Sequence, residues 1–452
     1  MPRRTALNKI ELSEHFTYRK LLIYSLPSIG NMLVITSFQV IDGFFVSNLL
    51  GVNPFAAVDL IYPVFMVLQA VGFMFGAGSS ALISRTVGEG DEDRARQYFT
   101  MSVTLLFLVS AVLGGISAAG MPVIARIAGA TEITMPYCIL YGRTLVCFLP
   151  AFLINAAFQT LWITAEKTML GLGVSIIYGI GNAFMDWLFM AVFGWGIKGA
   201  ALATSLASLI SAAIIMIYFI MPNSSKLRFT SFDRECLKEL GGMLYNGSSE
   251  MVEGIAGNFT AILTNRQLLR YIGEIGVTAM GVFNFTMSVI MSVFFGISTT
   301  TVTVIGYKVG QKDKEEISNV LRKVVILNLG LGVGMAAFVT LLSKPVASIY
   351  LGYQADAFQT AVMALQVGAL SCLFYGFDIV VSSFFTGMGD GTTSALVAVV
   401  LALLAPILTV YMLPALFGAA GIWFSVPCTT LITAFVCFLC LRIRYPERLS
   451  LL

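Results

Sequence analysis

The sequence predicts an all-α integral membrane protein with twelve transmembrane helices in two six-helix pseudo-repeat lobes. Three observations carry that prediction. The 452 residues are 58% hydrophobic and 11% charged, with a mean hydropathy of +0.87, whereas a soluble domain is nearer half apolar and a quarter charged. Uncharged runs repeatedly exceed the roughly 20 residues that a bilayer-crossing helix needs. The second half of the chain, slid back by 222 positions, also lays like residues on like.

Taken in order, the uncharged runs are 21–41, 60–84, 99–125, 144–165, 199–225, 275–307 and 324–343. The run 391–441 holds no charge and is long enough for two spans, with Pro414 and Gly418 marking the turn between them. Two further runs are each broken by one acid, 168–197 by Asp186 and 357–389 by Asp378. The stretch 241–270 completes the set, although it carries Glu250, Glu253 and Arg266 and ends on Arg270. Helices are thus expected to start near residues 20, 52, 98, 136, 168, 198, 240, 275, 322, 357, 392 and 418.

This composition excludes a soluble enzyme, a disordered chain and a nucleic-acid-binding protein. The 27 basic and 24 acidic residues leave a net charge of only +3, which gives nucleic acid no basis as a partner. The seven Cys lack zinc-finger spacing and read as small apolar residues. The single His, His15, sits in the polar N-terminal tail, so neither a histidine metal site nor His-based catalysis is expected. An integral membrane enzyme would need a cluster of such groups near an interface, so the chain is read as a non-enzyme. No phosphate-binding loop of the G-x-x-x-x-G-K-[ST] type occurs, so active transport must draw on an ion gradient.

Basic residues set the orientation. All Lys and Arg lie on the side of the termini except Arg126, Arg143, Lys198, Arg266, Arg270 and Lys344. A multi-pass protein of the cell (inner or plasma) membrane with both termini cytoplasmic is therefore expected. The polar start of the chain does not read as a cleaved signal peptide. The expected division is a cytoplasmic N-tail at 1–19, an N-lobe at 20–221, an inter-lobe linker at 222–239, a C-lobe at 240–441 and a C-tail at 442–452.

At the offset of 222, Val87-Gly88-Glu89-Gly90-Asp91 falls on Val309-Gly310-Gln311-Lys312-Asp313, Gly51 on Gly273, Ala57 on Ala279 and Gly199 on Gly421. Six helices per half keep both halves in the same orientation, related by an axis along the membrane normal. Such lobes open alternately to each side by rocking, which argues against a channel.

Several segments resemble the multidrug and toxic compound extrusion (MATE) family, of the prokaryotic type. They are Pro27 followed by Asp42-Gly43-Phe44-Phe45-Val46, Gly51 and Ala56-Ala57; Ser84-Arg85-Thr86-Val87-Gly88-Glu89-Gly90-Asp91; and Gly181-Asn182 with Asp186. Gly199-Ala200-Ala201 with Ala203-Thr204, and Gly418 with Gly421-Ile422-Trp423, extend the match over about residues 20–440. The resemblance implies a MATE-like fold and a twelve-helix antiporter that expels organic, often cationic, compounds in exchange for H+ or Na+. No cofactor is implied beyond that coupling ion. The expected partners are a small-molecule substrate and membrane lipid, and the chain is expected to act as a monomer.

Ionisable residues inside membrane helices are costly and by default mark a pathway or a proton relay. The candidates are Asp42, Asp59, Asp186, Glu250, Glu253, Arg266 and Asp378. At 1.5 Å per residue, Asp42 lies about 33 Å along helix 1 and Asp186 about 27 Å along helix 5, both counted from the cytoplasm. Asn182 is one turn from Asp186 on the same face. Thr204 is about 9 Å in from the outer side on helix 6. Two carboxylates with an amide and a hydroxyl suit a hard cation such as Na+; the same pair can instead share a proton. The resemblance assigns a cation-coupling site to Asp42, Asn182, Asp186 and Thr204, which form a metal site only under Na+ coupling.

In the second half, Glu253 lies about 20 Å into helix 7 and Asp378 about 32 Å into helix 10, giving a C-lobe polar site. At the repeat offset Asp42 faces Thr264, so the second lobe has not kept the first lobe's acid. Arg266 and Arg270 are read as snorkelling to the outer interface. Pro27 lacks an N–H and is expected to let helix 1 bend; protonation of Asp42 or Asp186 would change how that helix packs. A minority of the 34 Phe and 21 Met are expected to line a central cleft that suits varied apolar cations. The alternative function is a lipid-linked oligosaccharide flippase of a related transporter family. That function needs a basic cleft for pyrophosphate, whereas the charges inside these spans are mainly acidic.

Overall fold

The computed structural model describes residues 11–351 and 355–445; the tail residues 1–10 and 446–452 lie outside them. Twelve helical units follow one another among the described residues, eleven of them, counting one bent pair, long and apolar enough to cross a membrane. The first six are α1 (Tyr18–Leu49), α2 (Val52–Gly88), α3 (Glu92–Ile127), α4 (Met135–Cys147 with Leu149–Thr164), α5 (Thr168–Val192) and α6 (Gly196–Ile220). The second six are α7 (Leu240–Tyr271), α8 (Glu274–Gly310), α9 (Lys314–Leu351), α10 (Ala355–Gly368 with Cys372–Met388), α11 (Gly391–Phe417) and α12 (Ala419–Arg444). No strand occurs among the described residues.

The helices outrun the apolar runs where polar turns are capped. α3 starts at Glu92, not near 98, because the Asp91 side chain accepts the Arg94 N–H at 2.9 Å. α9 likewise starts at Lys314, where Asp313 accepts the Glu316 N–H at 3.0 Å. A capping carboxylate followed by acidic first-turn residues satisfies orphan N–H groups and complements the helix dipole. α4 is bent by 60° between its two pieces. Pro150 sits in the first turn of the second piece, where its missing N–H removes a ladder bond. α7 falls short of the apolar composition of the other spans, because Glu250, Glu253 and Thr260 on it line an internal cavity.

The repeat is visible in backbone shape. Gly51 and Gly273, which precede α2 and α8, both have positive φ, 78° and 85°. Gly90 and Lys312, in the turns before α3 and α9, do too, at 90° and 57°. Only the second pair tolerates a side chain, and there the sequence identity has lapsed while the turn has not.

The lobes α1–α6 and α7–α12 meet where α2 packs on α7 and α8 and where α1 packs on α8. The seam is tightest at the end that carries the termini. There Gly78 abuts the Met243 carbonyl, Gly247 the Met74 carbonyl, Gly88 the Tyr307 carbonyl and Gly310 the Arg85 carbonyl. Small residues let helix backbones approach closely where lipid offers no hydrophobic drive to associate. Ser80 of α2 adds hydroxyl contacts to Thr303 of α8 at 2.9 Å and Thr164 of α4 at 2.7 Å.

Residues 11–17 strap this end. Leu12 and Phe16 are buried. The Leu12 N–H donates to Glu166 in the first lobe, and the Phe16 N–H donates to Glu316 in the second at 2.7 Å. Lys308 donates to the Ser13 carbonyl and Lys323 to the Phe16 carbonyl. His15, read from sequence as a tail residue, joins the strap at 2.6 Å from Glu316.

Candidate functional site

Away from the closed end, two adjoining cavities open between the lobes, with volumes of about 420 and 510 Å³. Ile35, Thr36, Ala156 and Gln159 line both. The first is walled mostly by the first lobe and is aromatic, with Phe38, Phe55, Phe65, Phe152, Tyr62 and Tyr178. The second holds Met32 and Met291 as well as Phe73 and Phe295. Neither is lined by Lys, Arg or His.

Asp42, Asn182 and Thr204 line the first cavity, and Asp186 stands behind them, fully buried. Their common level follows from helix arithmetic. Asp42 is seven residues before the end of α1 and Asp186 six before the end of α5, while Thr204 is eight after the start of α6. At 1.5 Å per residue each lies about 9–12 Å from the same end of the bundle. The Asp42 side chain contacts both Asp186 and Thr204. The Asn182 amide donates to the Thr204 hydroxyl at 3.4 Å, and that hydroxyl reaches the Ala200 carbonyl at 3.1 Å.

The donor count is incomplete. Both Asp186 carboxyl oxygens and Asp42 Oδ1 are buried without a hydrogen-bond donor. A buried carboxylate with no donor and no cation is costly, and two facing carboxylates aggravate it. One proton held between them, or one small cation, satisfies the constellation. Directly after Asp186 the backbone forms a π-helical turn, Trp187–Val192. Such turns loosen the regular ladder and recur at functional sites.

The second lobe has its own acid group. Glu253 and Asp378, predicted as a pair, are brought within electrostatic reach of one another, with Glu250 beside Glu253. Glu253 bonds Ser382, while both Asp378 oxygens are buried without a partner. Glu250 and Glu253 line the second cavity, so Glu250 belongs to the cleft. α11 also carries a π turn, Val400–Leu404, and the Thr260 hydroxyl of α7 takes its Ala402 carbonyl at 2.8 Å. Neither π turn is signalled in the sequence. Pro27 lies within α1, which continues through it. Arg266 and Arg270 are exposed.

The MatE family profile matches twice, at residues 27–188 and again at 251–412. The chain belongs to the MatE family. The paired match is the duplication read from the sequence. MATE relatives resemble the chain throughout its length. "Multidrug export protein MepA" of Staphylococcus aureus (strain MSSA476) is 23% identical over 425 residues, 90% of each chain. A solved structure of a multidrug-resistance MATE transporter in an outward-facing conformation aligns with a TM-score of 0.89 at 22% identity, over 96% of this chain and 98% of that one. A MOP superfamily transporter from Pyrococcus furiosus, described as having a binding pocket of reversed polarity, also aligns at 0.89 and 22%, over 96% and 97%. These structural likenesses establish the MATE fold, and the long apolar helices make the chain a multi-pass membrane protein.

Proposed function

We propose that the chain is a secondary antiporter that exports organic cationic or amphiphilic compounds in exchange for H+ or Na+ by rocking of its lobes. The observation that carries this reading is the Asp42–Asp186 pair, three of whose four carboxyl oxygens are buried without a donor beside an aromatic cavity. One H+ or Na+ aboard leaves the pair a single shared negative charge; without it, repulsion between two full charges drives the carboxylates toward a different packing of α1. The closed end carries the termini, and with those termini in the cytoplasm the cavities face outward. The name borne by the Staphylococcus relatives supports drug export. The acid-lined cavities, free of Lys and Arg, disfavour a pyrophosphate-carrying lipid as cargo.

The test is flux in proteoliposomes with pH and Na+ gradients imposed separately. Wild type concentrates a fluorescent organic cation under one of the two gradients, and Asp42→Asn does not. Equal flux without either gradient refutes antiport.

A further inference from the structure

The acid pair leaves one carboxylate of the first cavity unused. Asp59 lies seven residues into α2, about 10 Å from that helix's end, and so at the level of Asp42. It lines the same cavity from another wall. It is exposed, and its side chain makes no hydrogen bond or ion pair among the described residues. Its helix neighbours are ordered. Phe55, Asp59, Tyr62, Phe65 and Gln69 are spaced by four, three, three and four residues and all line the cavity, which is one continuous helix face.

We propose that Asp59 is the specificity-determining carboxylate that receives the cargo's positive charge, and that Phe55 and Tyr62 complete a seat for an aryl-ammonium. This rests on the export reading only for the nature of the cargo. A carboxylate with an aromatic side chain one turn away on either side suits a delocalised or quaternary cation. The ring faces attract positive charge, the carboxylate supplies the counter-charge, and no tight polar coordination is demanded. Asp42, engaged by Asp186 and Thr204, is committed to the small ion. Cargo and coupling ion therefore occupy separate carboxylates at one depth, and the two positive charges repel across the shared cavity, so that bound cargo expels the ion without contesting its carboxylate.

The experiment is equilibrium binding to the full-length purified protein, read by fluorescence polarisation. The probes are the dye 4-[4-(dimethylamino)styryl]-N-methylpyridinium and its unmethylated parent, at an alkaline pH that keeps the parent uncharged. Asp59→Asn weakens the cation by about tenfold, on the scale of one ion pair made in a partly dry site, and moves the neutral parent by less than about twofold. Asp59→Glu restores most of the cation's affinity, and Phe55→Ala weakens the cation by about threefold. Equal weakening of both dyes by Asp59→Asn, no weakening of either, or no binding of the cation to wild type overturns the proposal. No gradient enters the measurement, so its failure is distinct from failure of the antiport reading.

Discussion

Gly88 and Gly310 face each other across the lobe seam, each against the backbone of the other's helix. They are also equivalent positions of the internal repeat, so the pseudo-two-fold axis passes between them. A side chain on either has nowhere to go while this end is shut. Gly310→Val therefore costs the closed state about 2 kcal/mol by overpacking, about thirtyfold in the balance between open and closed. Distances between spin labels on the two lobes should lengthen at this end. Gly115→Ala, where an added Cβ meets nothing, should leave distances and stability within about 1 kcal/mol of wild type. An unchanged distance in Gly310→Val would contradict the packing argument.

The strap is held by few contacts, so its release should be local and not global. In Glu316→Ala the Phe16 N–H, the Asn319 amide and His15 lose their shared acceptor. Hydrogen exchange across residues 12–17 should rise by at least about tenfold, with the remaining helices protected as before. Exchange that stays at the wild-type rate would mean that the buried Phe16 ring holds the strap unaided.

Functional acids are retained at a cost to stability. Asp186→Asn supplies the missing donor to Asp42 and removes one of two facing charges. It should raise resistance to thermal unfolding by about 1–2 kcal/mol while abolishing coupled transport. A loss of stability in this variant would show that Asp186 is a structural anchor.

Thr204 contributes a hydroxyl to Asp42 and takes one hydrogen bond from Asn182. Thr204→Val keeps the shape and removes both contacts together with the hydroxyl's bond to the Ala200 carbonyl. A loss of about 1 kcal/mol in ion affinity follows, five- to tenfold in the ion concentration for half-maximal flux; Thr204→Ser should retain affinity. An unchanged ion dependence in Thr204→Val would remove Thr204 from the ion seat.

Much of this was legible in the sequence because membranes impose simple rules. Span length, charge interruption and the offset of 222 point to twelve helices and a duplication, and helix rise alone places Asp42, Asp186 and Thr204 at one depth. Other features depend on tertiary contact. The π turns after Asp186 and at Val400–Leu404 have no local signature, since Trp187–Val192 reads as an ordinary apolar helix. The 60° bend in α4 is hinted at by Pro150, but its size is set by packing. The strap was hidden because a short polar segment carries no periodicity; its meaning lies in the burial of Leu12 and Phe16 against elements some 150 and 300 residues away.

The central claim is that Asp42 and Asp186 hold one exchangeable small cation. Its most direct measurement is ion release on cargo binding: an organic cation is added to the purified protein in weakly buffered solution while H+ and Na+ are monitored by indicator and electrode. Wild type should release about one ion per cargo bound, and Asp186→Asn should release none while still binding the cargo. Release by Asp186→Asn equal to that of wild type would contradict the account.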